Sequence, residues 1–185
     1  MDVGHNEASA RTAAAILAAA RDCFGEAGYD GTGLRAIAAR AGANVALINR
    51  YFDSKEGLFL AAVPPTLGIS LLLDGPMHEF GVRAAAIMRM KVGRGFDPMV
   101  ALLRAVATPS LAPALAGTLS RQVVAPLAAR LDGDDADLRA SLILAHLAGH
   151  EMLLRTLQLP ELAGAAAAKR EAALAVTLQA LVDGL

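Results

Sequence analysis

Tryptophan is absent from this chain of 185 residues, and aromatic residues make up only 4% of it. Its core must therefore be aliphatic, and the aliphatic side chains are mostly alanine and leucine, which favour helix. The single cysteine, Cys23, excludes an internal disulfide framework and a cysteine-built zinc cage. Charge of one sign is missing as well. Lys and Arg number 17 against 18 Asp and Glu, for a net charge of −1. That balance excludes a strongly basic nucleic-acid coat but leaves room for a local basic face. No run of β-branched or aromatic residues alternates with polar ones, so no strand is predicted. The longest uncharged stretch, residues 57–73, is broken by Pro64 and Pro65. It also falls short of the roughly 20 apolar residues of a membrane span. No cationic, apolar leader opens the chain. With 55% hydrophobic residues and a mean hydropathy of +0.45, disorder is excluded. These features predict an all-α, cytoplasmic protein without membrane contact.

What is present is unevenly distributed. Acidic groups exceed basic ones over residues 1–30 and again over 131–185, whereas 31–60 and 76–130 carry a basic excess. Five aromatic residues, Phe24, Tyr29, Tyr51, Phe52 and Phe59, fall within the first 60 positions, which points to a compact front unit with its own core. The Pro64-Pro65 break is the expected boundary. The predicted organisation is an N-terminal arm over 1–8, a small domain over 9–63 and a larger helical bundle over 64–185, with about nine helices in total.

Helix punctuation supports this division. Ile16, Ala20, Phe24 and Ala27 recur at helical spacing before Gly28, which ends the first helix. Thr32 is placed to cap a second helix with Leu34, Ile37, Ala38 and Ala41 inside, and Gly42 ends it. Asn44 and Ser54 are placed to cap a third and a fourth. Farther on, Asp97-Pro98 marks a helix start, and Pro126 should kink a helix or begin a new one. A long helix is expected from about Asp134 to Leu157, and a last one from about Ala166 to Val182, ended by Gly184.

Residues 32–58 carry the most information. Two short capped helices joined by the tight Ala41-Gly42-Ala43 turn have the layout of a helix-turn-helix. Ile48 and Phe52, one turn apart, can anchor the third helix inward, which leaves Asn49, Arg50 and Tyr51 largely outside. Exposed Asn, Arg and Tyr offer directional hydrogen bonds suited to base edges and phosphates.

The segment resembles the DNA-binding domain of TetR-type (tetracycline-repressor-like) transcriptional regulators. Their pattern, T-x-x-x-I-A-x-x-A-G-V-S followed by Y-x-H-F and x-S-K-x-x-L, is matched at Ile37, Ala38, Ala41, Gly42, Phe52, Ser54, Lys55 and Leu58. The likeness spans about residues 10–62. The chain behind it is similar, from Val124-Ala125-Pro126-Leu127 to the last helix, to the C-terminal domain of many actinobacterial members. Ala43 and Asn44 stand where Val and Ser are usual, Tyr51 replaces a common His, and Asn49-Arg50 replace a frequent Tyr pair.

The resemblance implies phosphate contacts from Thr32, Tyr51 and Lys55, and base contacts from Val45, Ala46, Leu47, Asn49 and Arg50. Physical chemistry agrees in part. Lys55 sits at a helix N-terminus, where free N–H groups favour a phosphate, and Arg50 suits a bidentate guanine contact. Ala46 and Leu47 can pack against thymine methyls. The resemblance further implies a homodimeric regulator, most often a repressor, that binds a near-palindromic operator in double-stranded DNA and is released by a small-molecule effector. The dimer is expected as a four-helix bundle from the last two helices of each chain.

Other residues admit plainer roles. Thr32 and Ser54 can serve as caps alone, and Cys23 beside Phe24 reads as a small buried hydrophobe rather than a redox sensor. His146 and His150, spaced i, i+4 with Glu151 beside them, can ligate a metal or act as acid and base, but no third ligand or nucleophile is evident. No cofactor or bound metal is therefore expected. Met88, Met99, His146, His150 and Met152 are candidate walls of an effector pocket, although methionine more often fills core gaps. The competing readings are an all-helical enzyme or metal-binding protein using His146 and His150, and a helical adaptor without DNA binding.

Overall fold

The computed structural model describes residues 3–90, 96–162 and 164–184. Among them every regular element is helical. In chain order these are α1 (Val3–Gly31), α2 (Leu34–Arg40), α3 (Val45–Phe52), α4 (Lys55–Ala62), α5 (Ile69–Leu73), α6 (Phe80–Met90), α7 (Pro98–Ala105), α8 (Ala112–Leu119), α9 (Ala125–Ala128), α10 (Ala136–Glu151) and α11 (Ala167–Asp183). A π-helical turn, Ser120–Val124, joins α8 to α9, and a second, Met152–Thr156, extends α10. With α8 and α9 taken as one rod and the five-residue α5 set aside, the described residues hold nine helices, as expected.

The stretch Lys55–Leu73 has the length and hydropathy of a membrane span (19 residues, mean hydropathy 1.6), yet it is not one helix. It comprises α4, a 3-10 turn over Pro64–Leu67, a left-handed Gly68 and the short α5.

The chain forms two compact units. The first takes Met1–Leu67 and Gly95–Leu115, and the second Gly68–Arg94 and Ala116–Leu185. This division runs differently from the expected one in two places. Residues 3–8 form no separate arm, because α1 is helical from Val3. Residues of α7 join the first unit, because Arg104 donates to the Gly25 carbonyl (3.2 Å) and Thr108 bonds the Asp30 carboxylate (2.8 Å).

The first unit is built on α1, whose Ile16, Ala19, Ala20, Cys23 and Phe24 form a buried stripe at helical spacing. Ile37 of α2, Ile48 of α3, and Leu58 and Phe59 of α4 are wholly buried. Phe59 meets Phe24 edge-on at 5.1 Å and Tyr29 at 5.3 Å, so three of the five front aromatics make one cluster, and Tyr51 pairs with Phe52 instead.

In the second unit α6 and α11 pack most closely. A Cβ on Gly81 would lie 2.1 Å from the Ala175 carbonyl oxygen, so only glycine permits this approach. Phe80, Leu127, Ile143 and Leu178 are wholly buried at the centre. Arg139 is buried too. Its guanidinium donates to Asp135 (2.8 Å) and to the carbonyls of Leu181 (3.1 Å), Val182 (2.9 Å) and Asp132, tying the start of α10 to the end of α11.

The prolines act as local chemistry requires. Asp97 caps α7, accepting from the Met99 and Val100 amides, with Pro98 in the first turn. Pro126 falls in the first turn of α9, as expected of a proline that begins a new helical segment. The preceding π-helical turn shifts the hydrogen-bond register just where proline lacks its N–H.

Candidate nucleic-acid interface

The turn between α2 and α3 is closed by Gly42 at φ 62°, a left-handed conformation that glycine adopts without strain. α3 then starts cleanly, because the Asn44 side chain accepts from the Leu47 amide at 2.9 Å. α4 starts the same way, with the Ser54 hydroxyl accepting from the Gly57 amide at 3.0 Å. Asp53, at φ 63°, makes the sharp link between them. Gly57 is fixed by space rather than by angle. A Cβ there would lie 2.1 Å from the Phe52 carbonyl oxygen, so the first turn of α4 sits directly against the end of α3.

With Ile48 as its buried anchor, α3 turns a defined face outward. Ala46, Asn49 and Arg50 are exposed, and Val45, Leu47, Tyr51 and Phe52 are half-buried. Asn49 and Arg50 thus lie where the spacing placed them. Phe52 is less buried than expected, and it shares the partial shelter with Tyr51, their rings 6.2 Å apart and inclined at 61°. The Tyr51 hydroxyl is hydrogen-bonded to the Ser9 hydroxyl at 2.8 Å, which ties the reading helix to the first turns of α1. Sequence reasoning missed Ser9, since nothing local marks an alanine-flanked serine 42 residues away. The Lys55 ammonium lies 4.4 Å above the Tyr29 ring, so a cation–π contact holds it in the first turn of α4.

Thr32 calls for a correction. Gly33, not Thr32, is the N-cap of α2, and no side chain caps it. Thr32 is only 3% exposed, and its hydroxyl donates to the Cys23 carbonyl (2.9 Å) and the Gly28 carbonyl (2.6 Å). Gly28, at φ 71° and ψ 177°, interrupts the regular helix of α1, and the two bonds brace the chain across that interruption. The threonine does so from within and presents no hydroxyl to a phosphate. Cys23 beside it is buried. Desolvation pushes its thiol up despite the nearby Arg40, as suits a packed side chain rather than a reactive one.

The five candidate effector residues are divided between the two units. Met99 is buried in the first unit, whereas Met88 is buried in the second. His146 is exposed, its Nδ1 bonded to the Leu142 carbonyl at 2.8 Å, and Met152 is exposed as well. Among the described residues no cluster of three or more His, Cys, Asp or Glu is arranged to hold a metal ion. A cleft of about 310 Å³ in the second unit is lined by Met77, His78, Arg130, Asp132, Val182 and Asp183, none of them among the five.

Within the second unit, His150 and the backbone of Met88 both lie beside Arg155. There Glu151, wholly buried, meets Arg155 Nε at 2.6 Å, and Arg155 also donates to the Met88 carbonyl at 3.2 Å. Burial, with Arg170 and Arg155 near, lowers the pKa of His150.

A capped, two-helix reader with an exposed Asn-Arg face, standing ahead of a second helical unit, defines a DNA-binding regulator of the helix-turn-helix class. The chain belongs to the TetR family: residues 79–182 match the family described as "Tetracyclin repressor-like, C-terminal domain", and residues 16–62 match "Bacterial regulatory proteins, tetR family". It is similar to a TetR-family regulator from Streptomyces coelicolor A3, with 29% identity and a TM-score of 0.61 over 94% of this chain and 95% of that one. A transcriptional regulator from Rhodococcus sp. Rha1 shares the fold at 24% identity and a TM-score of 0.60, over 95% and 96% of the two chains. Salmonella enterica GusR does so at 23% and 0.62, over 94% of each. No curated protein matches. The chain is thus a transcriptional regulator with a DNA-binding and a ligand-binding domain, and not an enzyme. The acid–base reading of His146, His150 and Glu151 and the adaptor reading both fall.

Proposed function

We propose that this regulator is a cytoplasmic repressor that binds a near-palindromic operator as a homodimer and is released by a small-molecule effector taken up by its second unit. The observation that carries the reading is the exposed face of α3. Arg50 would take a guanine edge, Asn49 a neighbouring base, and Ala46, with the flanks of Val45 and Leu47, the methyl groups of thymine. Lys55 and Tyr51 would hold the phosphates on either side. Thr32 has no part in this set, because its hydroxyl is spent inside.

The dimer reading draws on α10 and α11. Leu138 is 61% exposed, Leu142 38% and Val176 71%, which is costly for large apolar side chains and suits a face covered by the same helices of a second copy. Two α3 helices about 34–36 Å apart would then enter successive major grooves. Effector binding would release DNA by favouring a dimer with the wrong spacing.

The test is a selection of bound fragments from random DNA, followed by titration of the enriched sequence against a scrambled control at several salt concentrations. A two-fold motif with a clear specificity ratio is expected. Salt-sensitive binding without a motif would overturn the reading, provided ligand-stripped protein behaves alike.

A further inference from the structure

The inward stripe of α1 does not stop at Ile16. Ser9 lies seven residues, or two turns, ahead of it on the same side of the helix, half-buried and flanked by Ala8 and Ala10. Alanine favours helix more than serine does, so the hydroxyl adds nothing to α1 itself. Its partner lies elsewhere. The Ser9 hydroxyl is 2.8 Å from that of Tyr51, on the helix that carries the exposed Asn49 and Arg50. The Tyr51 ring is thus held at its far end by Ser9 and packed edge-on by Phe52, their centroids 6.2 Å apart.

Two hydroxyl groups hold two protons. The bond between them uses one, whichever group donates, and leaves the other for a further acceptor. A hydroxyl that already accepts a hydrogen bond is also the stronger donor, because the first bond polarises it. A DNA phosphate supplies an anionic oxygen, the acceptor from which such a donor gains most. Donation from Ser9 to Tyr51 leaves the free proton on the reading helix, next in sequence to Arg50.

We propose that Ser9 is a positioning residue for DNA binding: its hydroxyl donates to Tyr51 and turns the tyrosine proton onto a phosphate oxygen of the duplex. The first turns of α1 then belong to the DNA-binding surface along with α3 and the start of α4. This deepens the phosphate role proposed above for Tyr51 and rests on it. A serine that only packed α1 would leave that phosphate contact unchanged when cut to alanine.

The test titrates the full chain onto the duplex enriched by fragment selection, and onto copies in which one phosphate at a time is a neutral methylphosphonate. For the wild type, replacing the phosphate that Tyr51 holds should cost roughly tenfold in affinity, the worth of one hydrogen bond to a charged group. Tyr51→Phe should abolish the penalty at that phosphate and leave the one at the Lys55 phosphate intact. Ser9→Ala should shrink the Tyr51 penalty to about threefold, and Ser9→Thr, which keeps the hydroxyl, should restore it. A full wild-type penalty in Ser9→Ala would overturn the positioning role. Penalties in Tyr51→Phe that match the wild type at every phosphate would overturn it too, together with the phosphate role of Tyr51.

Should the selection yield no motif, the operator reading fails by itself, and the pair is tested on a random duplex, since phosphate contacts need no particular sequence. Ser9→Ala and Tyr51→Phe should then each weaken binding, and the double variant should lose no more than Tyr51→Phe alone. Wild-type affinity in Ser9→Ala, losses that simply add, or no binding to any duplex would overturn the proposal.

Discussion

Ser9 and Tyr51 share a hydroxyl–hydroxyl hydrogen bond of 2.8 Å across 42 residues, so the early part of α1 sets where the tyrosine ring of the reading helix lies. A neutral bond of this kind contributes about 0.5–1.5 kcal/mol net. Ser9→Ala should leave thermal stability nearly unchanged and weaken operator binding by up to about 1 kcal/mol. Tyr51→Phe should cost more, because it would also remove the phosphate contact proposed for this hydroxyl. A double-mutant cycle measured by DNA titration checks this: a coupling energy of zero would mean that Ser9 does not position the ring.

The reading face makes separable predictions for Arg50 and Lys55. Arg50 is exposed on α3, so Arg50→Ala should weaken specific binding by about 1–3 kcal/mol and relax preference at one base position. Lys55 stands over the Tyr29 ring at 4.4 Å, at the start of α4. Lys55→Ala should weaken binding to all sequences and flatten the salt dependence by about one unit. Base preference and salt slope, measured on both variants, decide the assignments. Two variants that lose the same property would show that base and phosphate roles are not divided in this way.

Gly57 is the position where the reader tolerates least. Its missing side chain leaves room for the Phe52 carbonyl, 2.1 Å from where a Cβ would sit. Backbone on both sides cannot yield cheaply, so Gly57→Ala should destabilise by roughly 3 kcal/mol, the upper range for overpacking. Gly42→Ala, with φ 62° but nothing within 4 Å of its Cβ, should cost about 1 kcal/mol. Denaturant unfolding of the two variants ranks them, and a larger loss at Gly42 would mean the α3–α4 approach is looser than its geometry implies.

These positions also show why some of the site was legible beforehand. Asn44, Ser54 and Gly42 act on atoms within three residues of themselves, so their chemistry is written locally. Ile48 at helical spacing fixed which way Asn49 and Arg50 face. Thr32 could not be read this way. A threonine before a helix has two uses for its hydroxyl, and the choice was made by the Cys23 and Gly28 carbonyls that the fold brings beside it. Arg139 looked like one more surface charge until three carbonyls from distant turns met it. Met99 falls in the first unit for a topological reason: residues 95–115 lie late in the sequence but fold onto α1 through Arg104 and Thr108.

The outward face of α10 bears on assembly. Leu138 and Leu142 lie one turn apart and stay 61% and 38% exposed. If a second copy covers them, Leu142→Glu should leave helix content unchanged, shift the protein from dimer to monomer and abolish tight operator binding together. Sedimentation of wild type and variant, beside circular dichroism, reads both effects. A wild type that sediments as a monomer would contradict the dimer, and so would a variant that remains dimeric.

Acid should weaken the protein in a window that His150 defines. Burial lowers its pKa from the usual value of about 6.5, and the neighbouring Arg170 and Arg155 lower it further. The unfolded chain therefore binds a proton there at a higher pH than the native chain does. The stability difference is absent while both states are neutral, above the unfolded value. It grows as the pH falls below that value, and is complete once the pH has passed through the native pKa. Glu26 also loses its favourable charged state in acid, because Arg40 holds its carboxyl below the usual range, but that loss begins only near the ordinary carboxylate pKa. The two windows can therefore be told apart. Melting temperature should begin to fall as the pH drops below about 6.5 in the wild type and stay flatter there in His150→Gln, with both falling together once carboxylates protonate. Parallel curves through the upper window would show that His150 is not the group that titrates there.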